Sequence, residues 1–350
     1  MATPARGRPA STSPVIPQVL EEYGALTRKA MEGYLPRGAP KNYLYDLVAD
    51  YPLRGGKMMR SSLCIATARV FGARIEDAVC TAAAIELLHN ALLVHDDIQD
   101  DSEERRGRPT LHSEHGIPLA INAGDALCLL SMRPLMDNAR LLGPRYATRI
   151  LEEADRMAWE SAEGQAMELG WCRDNCVGLT DEDYLVMVLK KTCWLAMIFP
   201  CRAGAIIGAH DGVDLDPFIR FGFFLGASFQ IQDDLLNFVA DSRYGKELHG
   251  DLWEGKRTLM LNHVYRESNG EERARLAGIL ALPRGQRKPA QIHWIRRLMD
   301  AYGSVDYASK IAHGLAGAAL HEFHSIYADL PDSRDKQFIE GLSTWVFERT

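Results

Sequence analysis

Apolar residues recur at spacings of three and four along nearly the whole chain, and alternation of apolar and polar residues is almost absent. This spacing matches the α-helix, in which residues three and four apart share a face. Three segments, residues 82–95, 184–209 and 218–239, are apolar on most sides. A helix that is apolar all round belongs in the middle of a large bundle. The sequence therefore predicts an all-α fold, a single large helical bundle with buried central helices.

No linker is long enough to divide the chain into separately folding parts. The chain has 350 residues, 47% of them hydrophobic, which is sufficient for a large core. Residues 1–17 are rich in Ala, Pro, Ser, Thr and Arg and contain no apolar signal segment. This composition favours a disordered tail. We therefore predict a tail over residues 1–17 and one domain over residues 18–350.

Charge, apolar runs and cysteines exclude several classes of function. The net charge of −7 argues against binding nucleic acid through a basic surface. Residues 193–209 form an apolar run that is interrupted by Pro200 and Arg202, so we expect a buried helix and no transmembrane segment. The seven cysteines are odd in number and mostly lie in apolar helical context, which favours free thiols. Free thiols indicate a reducing compartment, and we expect a cytoplasmic protein.

Two aspartate-rich stretches each continue an apolar run that is typical of a helix. They are HDDIQDD at 95–101 and QIQDDLLN at 230–237. Residues four apart share a helix face, so Asp96 and Asp100 project together. Such acids repel one another unless cations neutralise them, and their hard oxygen atoms suit Mg²⁺. The alternative is that each stretch is a solvated acidic helix end.

Basic groups accompany these acids. Gly55 and Gly56 precede Lys57 and Arg60 in a turn that opens a helix, and a helix N-terminus favours an anion. Taken alone, this pattern also fits a solvated turn.

Lys190 and Lys191 interrupt an apolar helix, where a lysine is costly unless it is paired. We expect one of them to face solvent and Lys191 to have an anionic partner. A lone His89 on a buried helix more often indicates a hydrogen-bonded core residue. Charges such as Lys246 and Lys256 are also ordinary in loops.

Taken together, these motifs resemble the trans-isoprenyl diphosphate synthase family, also called polyprenyl synthases. They follow the family's order: GGKxxR at 55–60, HxxxxxHDDxxD at 89–100, RRGxPT at 105–110, EGQ at 163–165, KKT at 190–192, FQxxDD at 229–234 and GDxxEGKRT at 250–258. The resemblance implies a bundle of the isoprenoid synthase type around a deep central cavity, and a homodimer. It also implies a Mg²⁺-dependent prenyltransferase that condenses isopentenyl diphosphate with an allylic diphosphate: dimethylallyl, geranyl or farnesyl diphosphate.

The resemblance assigns roles to individual residues. Those implied to hold Mg²⁺ are Asp96, Asp97, Asp100 and Asp233, with Asp234 as a further candidate. Those implied to hold the allylic diphosphate are Arg105, Lys191, Thr192, Gln230, Lys246 and Lys256. Those implied to hold isopentenyl diphosphate are Lys57, Arg60, His89 and Arg106. The predicted catalytic set is Asp96, Asp97, Asp100, Asp233 and Lys191.

Three positions depart from the family pattern. Met58 stands where arginine is frequent, and Ser61 where proline is frequent. Asn237 replaces the third aspartate of the second stretch, and its neutral amide should bind a metal less tightly.

Product length is predicted from the helix before Asp96. In related enzymes a large aromatic residue four or five positions before the first aspartate stops growth at fifteen carbons. Here these positions hold Leu92 and Ala91, and Leu88 lies a further turn away. The small Ala91 leaves room for another isoprene unit, which predicts a twenty-carbon product and a short-chain enzyme most like the bacterial geranylgeranyl diphosphate synthases. A longer product stays open at this point.

Two other functions are compatible with part of the pattern. A class I terpene cyclase shares the metal-triggered ionisation but needs no isopentenyl diphosphate site. The presence of Lys57, Arg60, His89 and Arg106 indicates such a site and therefore favours chain elongation over cyclisation. A non-catalytic subunit that modulates another prenyl synthase would not need intact aspartates, and Asp96, Asp97, Asp100 and Asp233 argue against it.

Overall fold

A computed structural model of the protein describes residues 15–239 and 249–348. Within these ranges the chain is built almost entirely from helices. In the first half they are α1 (Val15–Tyr34), α2 (Asp46–Leu53), α3 (Met59–Val70), α4 (Ile75–Gln99), α5 (Leu111–His115), α6 (Ile117–Leu141) and α7 (Pro144–Arg173). In the second half they are α8 (Asp181–Val188), α9 (Phe199–Ala209), α10 (Pro217–Val239), α11 (Gly250–Glu254), α12 (Leu259–Glu267), α13 (Gly270–Leu280), α14 (Pro289–Ala301), α15 (Ser304–Tyr327) and α16 (Arg334–Glu348).

The remaining regular structure is short. Two antiparallel strands, β1 (Glu104–Arg105) and β2 (Arg108–Pro109), form a hairpin after α4. π-helical turns cover Lys41–Tyr45 and Leu189–Ile198, and a 3₁₀ turn covers Arg284–Gln286. The prediction of an all-α bundle is confirmed. Helix α1 begins at Val15, so residues 15–17 belong to this helix and not to the expected tail.

Local sequence explains several helix starts. The Thr180 side chain accepts the backbone N–H of Asp183, and the Asp183 carboxylate accepts the backbone N–H of Thr180. This reciprocal capping satisfies two donors that a helix start leaves unpaired. Pro144 and Pro289 occupy the first positions of α7 and α14, where a missing N–H is harmless.

The main core lies where α10 packs against α15 and α3 packs against α9. Its largest fully buried side chains include Trp194, Phe199, Phe218, Phe221 and Tyr327. A second cluster fills the space between α4 and α6 and includes Leu87, Ala91 and Leu127.

Helices α8 and α9 are joined by the π turn Leu189–Ile198 into one continuous helix. Two neighbouring helices, α7 and α10, pack closely against this turn through glycines. A Cβ atom on Gly164 of α7 would lie 2.2 Å from the backbone nitrogen of Lys191. One on Gly226 of α10 would lie 2.8 Å from the sulfur of Cys193. Real atoms do not approach so closely, so only glycine permits this packing. The KKT motif is thereby held between α7 and α10.

Two helices, Ile75–Gln99 and Asp181–Ala209, are long and apolar enough to cross a membrane by length and composition. In their most apolar windows, 61% and 83% of the residues are buried inside the bundle. Such burial is typical of central helices in a large bundle. Length and composition therefore give only weak support for a membrane span in the described residues.

Candidate active site

A cavity of about 1190 Å³ lies between α4, α6, α7, the continuous helix α8–α9 and α10. Charged side chains from both aspartate-rich stretches line one end, among them Asp96 and Asp233. Farther along α4 the wall is apolar, with Leu88 and Leu92. The cavity therefore joins a charged end to a long apolar interior.

In the first stretch, Asp96 lines the cavity and Asp97 does not. The Asp96 carboxylate lies 3.4 Å from the Lys191 ammonium and 3.7 Å from the Arg105 guanidinium. Asp97 is 1% exposed and accepts hydrogen bonds from the Arg105 guanidinium, at 2.9 Å from Nε, and from the Tyr51 hydroxyl. Both its oxygen atoms are thus engaged. Asp97 thus holds Arg105 in place, and its role as a metal ligand stays a prediction.

Asp100 follows Asp96 by one helical turn and caps the end of α4. Its carboxylate lies 2.6 Å from the ammonium of Lys256, which also pairs with Glu254 at 2.8 Å. Burial raises the pKa of Asp100, while the nearby Lys256 charge opposes the shift. A cation at Asp100 would have to displace Lys256.

In the second stretch, Asp233 and Asp234 both line the cavity. Asp234 is 8% exposed and accepts hydrogen bonds from the Tyr184 hydroxyl and from Gln230 Nε2, both at 2.8 Å. Burial, and then the charge of Asp251, raises the pKa of Asp234 to about 8. Asp234, like Asp97, is engaged by protein donors.

At the third position, Asn237 differs from Asp100. Its side-chain oxygen accepts the backbone N–H of Asp251 at 3.2 Å, in the first turn of α11. The amide therefore serves as a helix cap.

The two lysines of the KKT motif have separate partners. Lys191 pairs with Glu168 as well as Asp96, and these two carboxylates raise its pKa although burial opposes its charge. Lys190 pairs with Glu160 at 2.8 Å and Glu163 at 2.6 Å on the outer side of α7. The expectation that Lys191 has an anionic partner is confirmed. The Thr192 hydroxyl donates to Gln230 Oε1 at 3.0 Å and so connects the motif to α10.

A second group of cations lies around the start of α3 and the hairpin. Arg60 and His89 line the cavity. Arg106 donates to the carbonyl of Tyr51 at 3.1 Å and to Asn90 at 3.4 Å. Burial, followed by the charges of Arg60 and Arg106, holds the pKa of His89 well below its usual range. His89 is therefore neutral near pH 7 and would bind a phosphate as a hydrogen-bond donor.

The turn before α3 needs glycine at Gly55 for its backbone conformation and at Gly56 for its close approach to the Arg106 side chain. Gly55 has a φ of 81°, which favours glycine, and a Cβ atom on Gly56 would lie 3.2 Å from Arg106 Nη2. Lys57 is exposed, and its ammonium lies 5.5 Å from the ring centre of Trp345 in α16. Lys246 falls within residues 240–248, outside the described part of the chain.

The polyprenyl synthetase family model matches residues 41–299. The chain belongs to this family. Over 337 residues it is 30% identical to the geranylgeranyl pyrophosphate synthase of Geoglobus acetivorans, covering 96% of this chain and 99% of that one. The geranylgeranyl pyrophosphate synthetase of Pyrococcus horikoshii superposes with a TM-score of 0.84 at 30% identity, covering 96% and 98% of the two chains.

Relatives in this family are named for different product lengths. The all-trans-nonaprenyl-diphosphate synthase of Rhodobacter capsulatus is also 30% identical, over 96% of this chain and 97% of that one. Geoglobus acetivorans is an archaeon, so the similarity is not particular to bacterial enzymes. The chain is thus a trans-prenyl diphosphate synthase with the all-α isoprenoid synthase fold, and the names leave the product length open.

The three residues of the chain-length prediction for this prenyl synthase differ in position. Leu88 and Leu92 line the cavity, but Ala91 is fully buried in the cluster between α4 and α6. Ala91 lies one turn before His95, whose ring fills the space above Gly124 of α6. The face of α4 that carries Ala91 and His95 is therefore turned towards α6. Ala91 therefore does not line the cavity, and its role in chain length stays a prediction.

Several residues of the prenyl synthase site were not singled out from sequence. Glu168 lies three residues after the EGQ motif and pairs with Lys191, and Asp251 lines the cavity beside the second stretch. The sequence could have indicated both residues, because Glu168 is an acid close to the EGQ motif and Asp251 is an acid within the GDxxEGKRT motif. Tyr51, Tyr184 and Trp345 contact site residues from distant elements, and the sequence carries no local signal for these contacts.

Proposed function

We propose that this prenyl synthase is Mg²⁺-dependent, extends an allylic diphosphate with isopentenyl diphosphate, and releases geranylgeranyl diphosphate. The observation that carries the proposal is a single cavity with Asp96 and Asp233 at its charged end and an apolar interior beyond them. A diphosphate needs the first environment and a prenyl chain needs the second.

The residues at the charged end fit Mg²⁺. Carboxylate oxygen atoms of Asp96 and Asp233, which line the cavity, and of Asp100, which lines a small adjoining pocket, are hard ligands of the kind Mg²⁺ prefers. Among the described residues, no three acidic, histidine or cysteine side chains converge on one point. An ion bound at this end would therefore have to keep waters and take further oxygen atoms from substrate phosphates. When bound, Mg²⁺ would supply positive charge that favours departure of the diphosphate.

Basic side chains complete the diphosphate site. Lys191, Lys256 and Arg105 are fixed by carboxylates beside the cavity, and so are placed to stabilise charge that develops on the leaving diphosphate. Breaking the carbon–oxygen bond leaves an allylic cation in the apolar part of the cavity, away from water. The double bond of isopentenyl diphosphate, held by Arg60, Arg106, Lys57 and His89, then forms the new carbon–carbon bond. Loss of a proton from the adjacent carbon restores a double bond.

The proposed product length rests on the depth of the cavity, because Ala91 no longer supports it. Wall residues of α4 extend from Asp96 to Ala84. This separation is about 18 Å at the helical rise of 1.5 Å per residue. An extended isoprene unit spans about 5 Å, given carbon–carbon bonds of about 1.5 Å. About four units, or twenty carbons, fit along α4. The wall along α7 is longer, from Leu169 to Thr148, or about 32 Å at the same rise, so a longer product is the alternative outcome of the assay below.

A homodimer and a cytoplasmic location also belong to the proposal. Helix α6 exposes the apolar side chains of Ile117, Ile121, Leu129, Met132 and Met136 at helical spacing. An exposed apolar surface of this kind marks a protein–protein interface, and we propose that a second copy covers it. All seven cysteines are free, which favours a reducing compartment.

One assay tests the proposed function. The pure protein is incubated with isopentenyl diphosphate and dimethylallyl, geranyl or farnesyl diphosphate, with Mg²⁺ or with EDTA, and products are separated by chain length. Mg²⁺-dependent formation of a twenty-carbon diphosphate is expected. Hydrocarbon release would indicate a cyclase, and silence with every primer would indicate a non-catalytic subunit. A longer product would overturn the length assignment alone.

The proposed dimer is tested by light scattering of the wild type and of the Leu129→Glu variant. The wild type should have the mass of a dimer, and the variant that of a monomer.

A further inference from the structure

Ser61 makes a contact that proline, the residue frequent here in the family, cannot make. Ser61 is the third residue of α3 and is fully buried. Its backbone N–H donates to Glu86 Oε1 at 3.3 Å, and its hydroxyl lies 2.9 Å from the same oxygen. Proline has no N–H and no hydroxyl. The hydroxyl also lies 3.0 Å from the Met58 carbonyl oxygen and has one proton for these two acceptors. Proline would remove both this hydroxyl and the N–H that Glu86 accepts.

Glu86 is the anion at the N-terminus of α3. The first N–H groups of a helix lack partners within the helix, and the helix dipole favours negative charge there. The sequence suggested that this N-terminus, which follows the Gly55–Gly56 turn, would receive a substrate phosphate. In the structure a protein carboxylate, only 4% exposed, accepts the N–H of Ser61. Phosphate binding at this N-terminus stays a prediction.

Glu86 also affects the cations proposed to hold isopentenyl diphosphate. Burial lowers the pKa of Arg106, and the charge of Glu86 is the main interaction that opposes this change. The backbone carbonyl of Glu86 accepts a 2.7 Å hydrogen bond from the Asn90 amide, and the oxygen of that amide faces Arg106 at 3.4 Å. His89 lies one turn after Glu86 and lines the cavity. The Glu86 carboxylate thus joins the start of α3, which carries Arg60, to the part of α4 that carries His89.

We propose that Ser61 is a positioning residue for the isopentenyl diphosphate site. It holds the Glu86 carboxylate of α4 against α3, and so fixes the relative position of Arg60 on α3 and His89 on α4, which both line the cavity next to this contact. This inference rests on the proposed function, because it assumes that these cations bind isopentenyl diphosphate. It extends that function by naming how this chain supports the site without the family's proline.

The experiment compares Ser61→Pro, Ser61→Ala and Ser61→Thr in steady-state assays that vary each substrate separately. Ser61→Pro removes both donors, and its KM for isopentenyl diphosphate should rise about tenfold, as expected for lost hydrogen bonds to a charged group. Ser61→Ala keeps the N–H and should give a rise of about threefold. Ser61→Thr keeps both donors and should restore the wild-type value. The KM for the allylic diphosphate and kcat should stay within about twofold in all three variants.

Ser62→Ala is the matched control. Ser62 is adjacent and fully buried, and its hydroxyl has no hydrogen-bond partner among the described residues. Its KM values should equal those of the wild type. If Ser61→Pro and Ser61→Ala both keep a wild-type KM for isopentenyl diphosphate, the positioning role is wrong. A variant in which kcat and the melting temperature fall while both KM values rise would also overturn it, because that pattern indicates only structural support. Failure of the wild type to elongate would instead reject the proposed function.

Discussion

The two aspartate-rich stretches share one arrangement, although they lie on different helices in different surroundings. In each, the first aspartate lines the cavity and the second is largely buried, although Asp234 also contributes to the cavity wall. A tyrosine from another helix donates to each buried carboxylate: Tyr51 to Asp97 and Tyr184 to Asp234. The first aspartates, Asp96 and Asp233, line the cavity, and the second aspartates connect the helices that carry them to other helices.

The third positions of the two stretches differ, and this difference bears on how many acids each stretch can offer to a metal. Asp100 pairs with the cationic Lys256, whereas Asn237 accepts a backbone N–H from α11. The first stretch therefore presents two acids on one face of α4, and the second presents one acid on α10. We expect the first stretch to contribute more of the metal's protein ligands.

The largest expected effect is on catalysis. Asp96→Asn and Asp233→Asn remove a charge from the cavity without changing side-chain size. Turnover should fall about a hundred- to a thousandfold, the usual loss when one group that stabilises developing charge is removed. Single-turnover assays with saturating substrates measure this loss, with thermal melting to establish that the variants fold. Normal turnover with an unchanged Mg²⁺ requirement in either variant would contradict the shared arrangement.

Stability should respond most to the second aspartates. Asp97→Ala leaves the nearly buried Arg105 without its closest counterion, and breaking a buried pair from one side costs about 3–5 kcal/mol. Urea unfolding of the metal-free protein gives this free energy of unfolding. Tyr51→Phe is the control, since it removes one hydrogen bond to Asp97 and keeps the ion pair; its cost should be about 1–3 kcal/mol. Equal losses in the two variants would show that the Arg105 ion pair adds nothing.

The second stretch should also make stability depend on pH. Burial raises the pKa of Asp234 from 3.8 to about 8, so the folded protein keeps a proton that the unfolded chain has released. The free energy of unfolding must then fall as pH rises between these values, by at most about 1.4 kcal/mol per pH unit. Thermal melting in EDTA between pH 6 and pH 8.5 should show this fall in the wild type. Asp234→Asn should flatten it, and an identical slope in the variant would exclude Asp234 as its source.

The smallest effect concerns the third positions. Asn237→Asp gives the second stretch the acid that the first has in Asp100. A carboxylate binds a hard cation better than an amide does, so the Mg²⁺ concentration for half-maximal rate should fall several-fold. Rate measurements over a Mg²⁺ series give this value, with Asp100→Asn expected to shift it upwards. An unaltered Mg²⁺ curve in Asn237→Asp would mean that position 237 lies outside the metal shell.

The sequence by itself determined the fold class, the family and the order of motifs. Helical periodicity is a local property, and a helix that is apolar all round has few places to lie except the centre of a bundle. The pairing of Lys191 with an anion was also predictable, because an unpaired lysine in an apolar helix is too costly.

Only the tertiary structure decided which helix covers each face. Periodicity placed Ala91 one turn from His95, but the close packing of His95 on Gly124 is what turns that face towards α6 and away from the cavity. The roles of Asp97 and Asp234 likewise depend on tyrosines from other helices, and that of Ser61 on a glutamate in α4. Such partners are brought together by packing between elements distant in sequence. The helical repeat fixes which residues share a face, but it cannot identify what that face will meet.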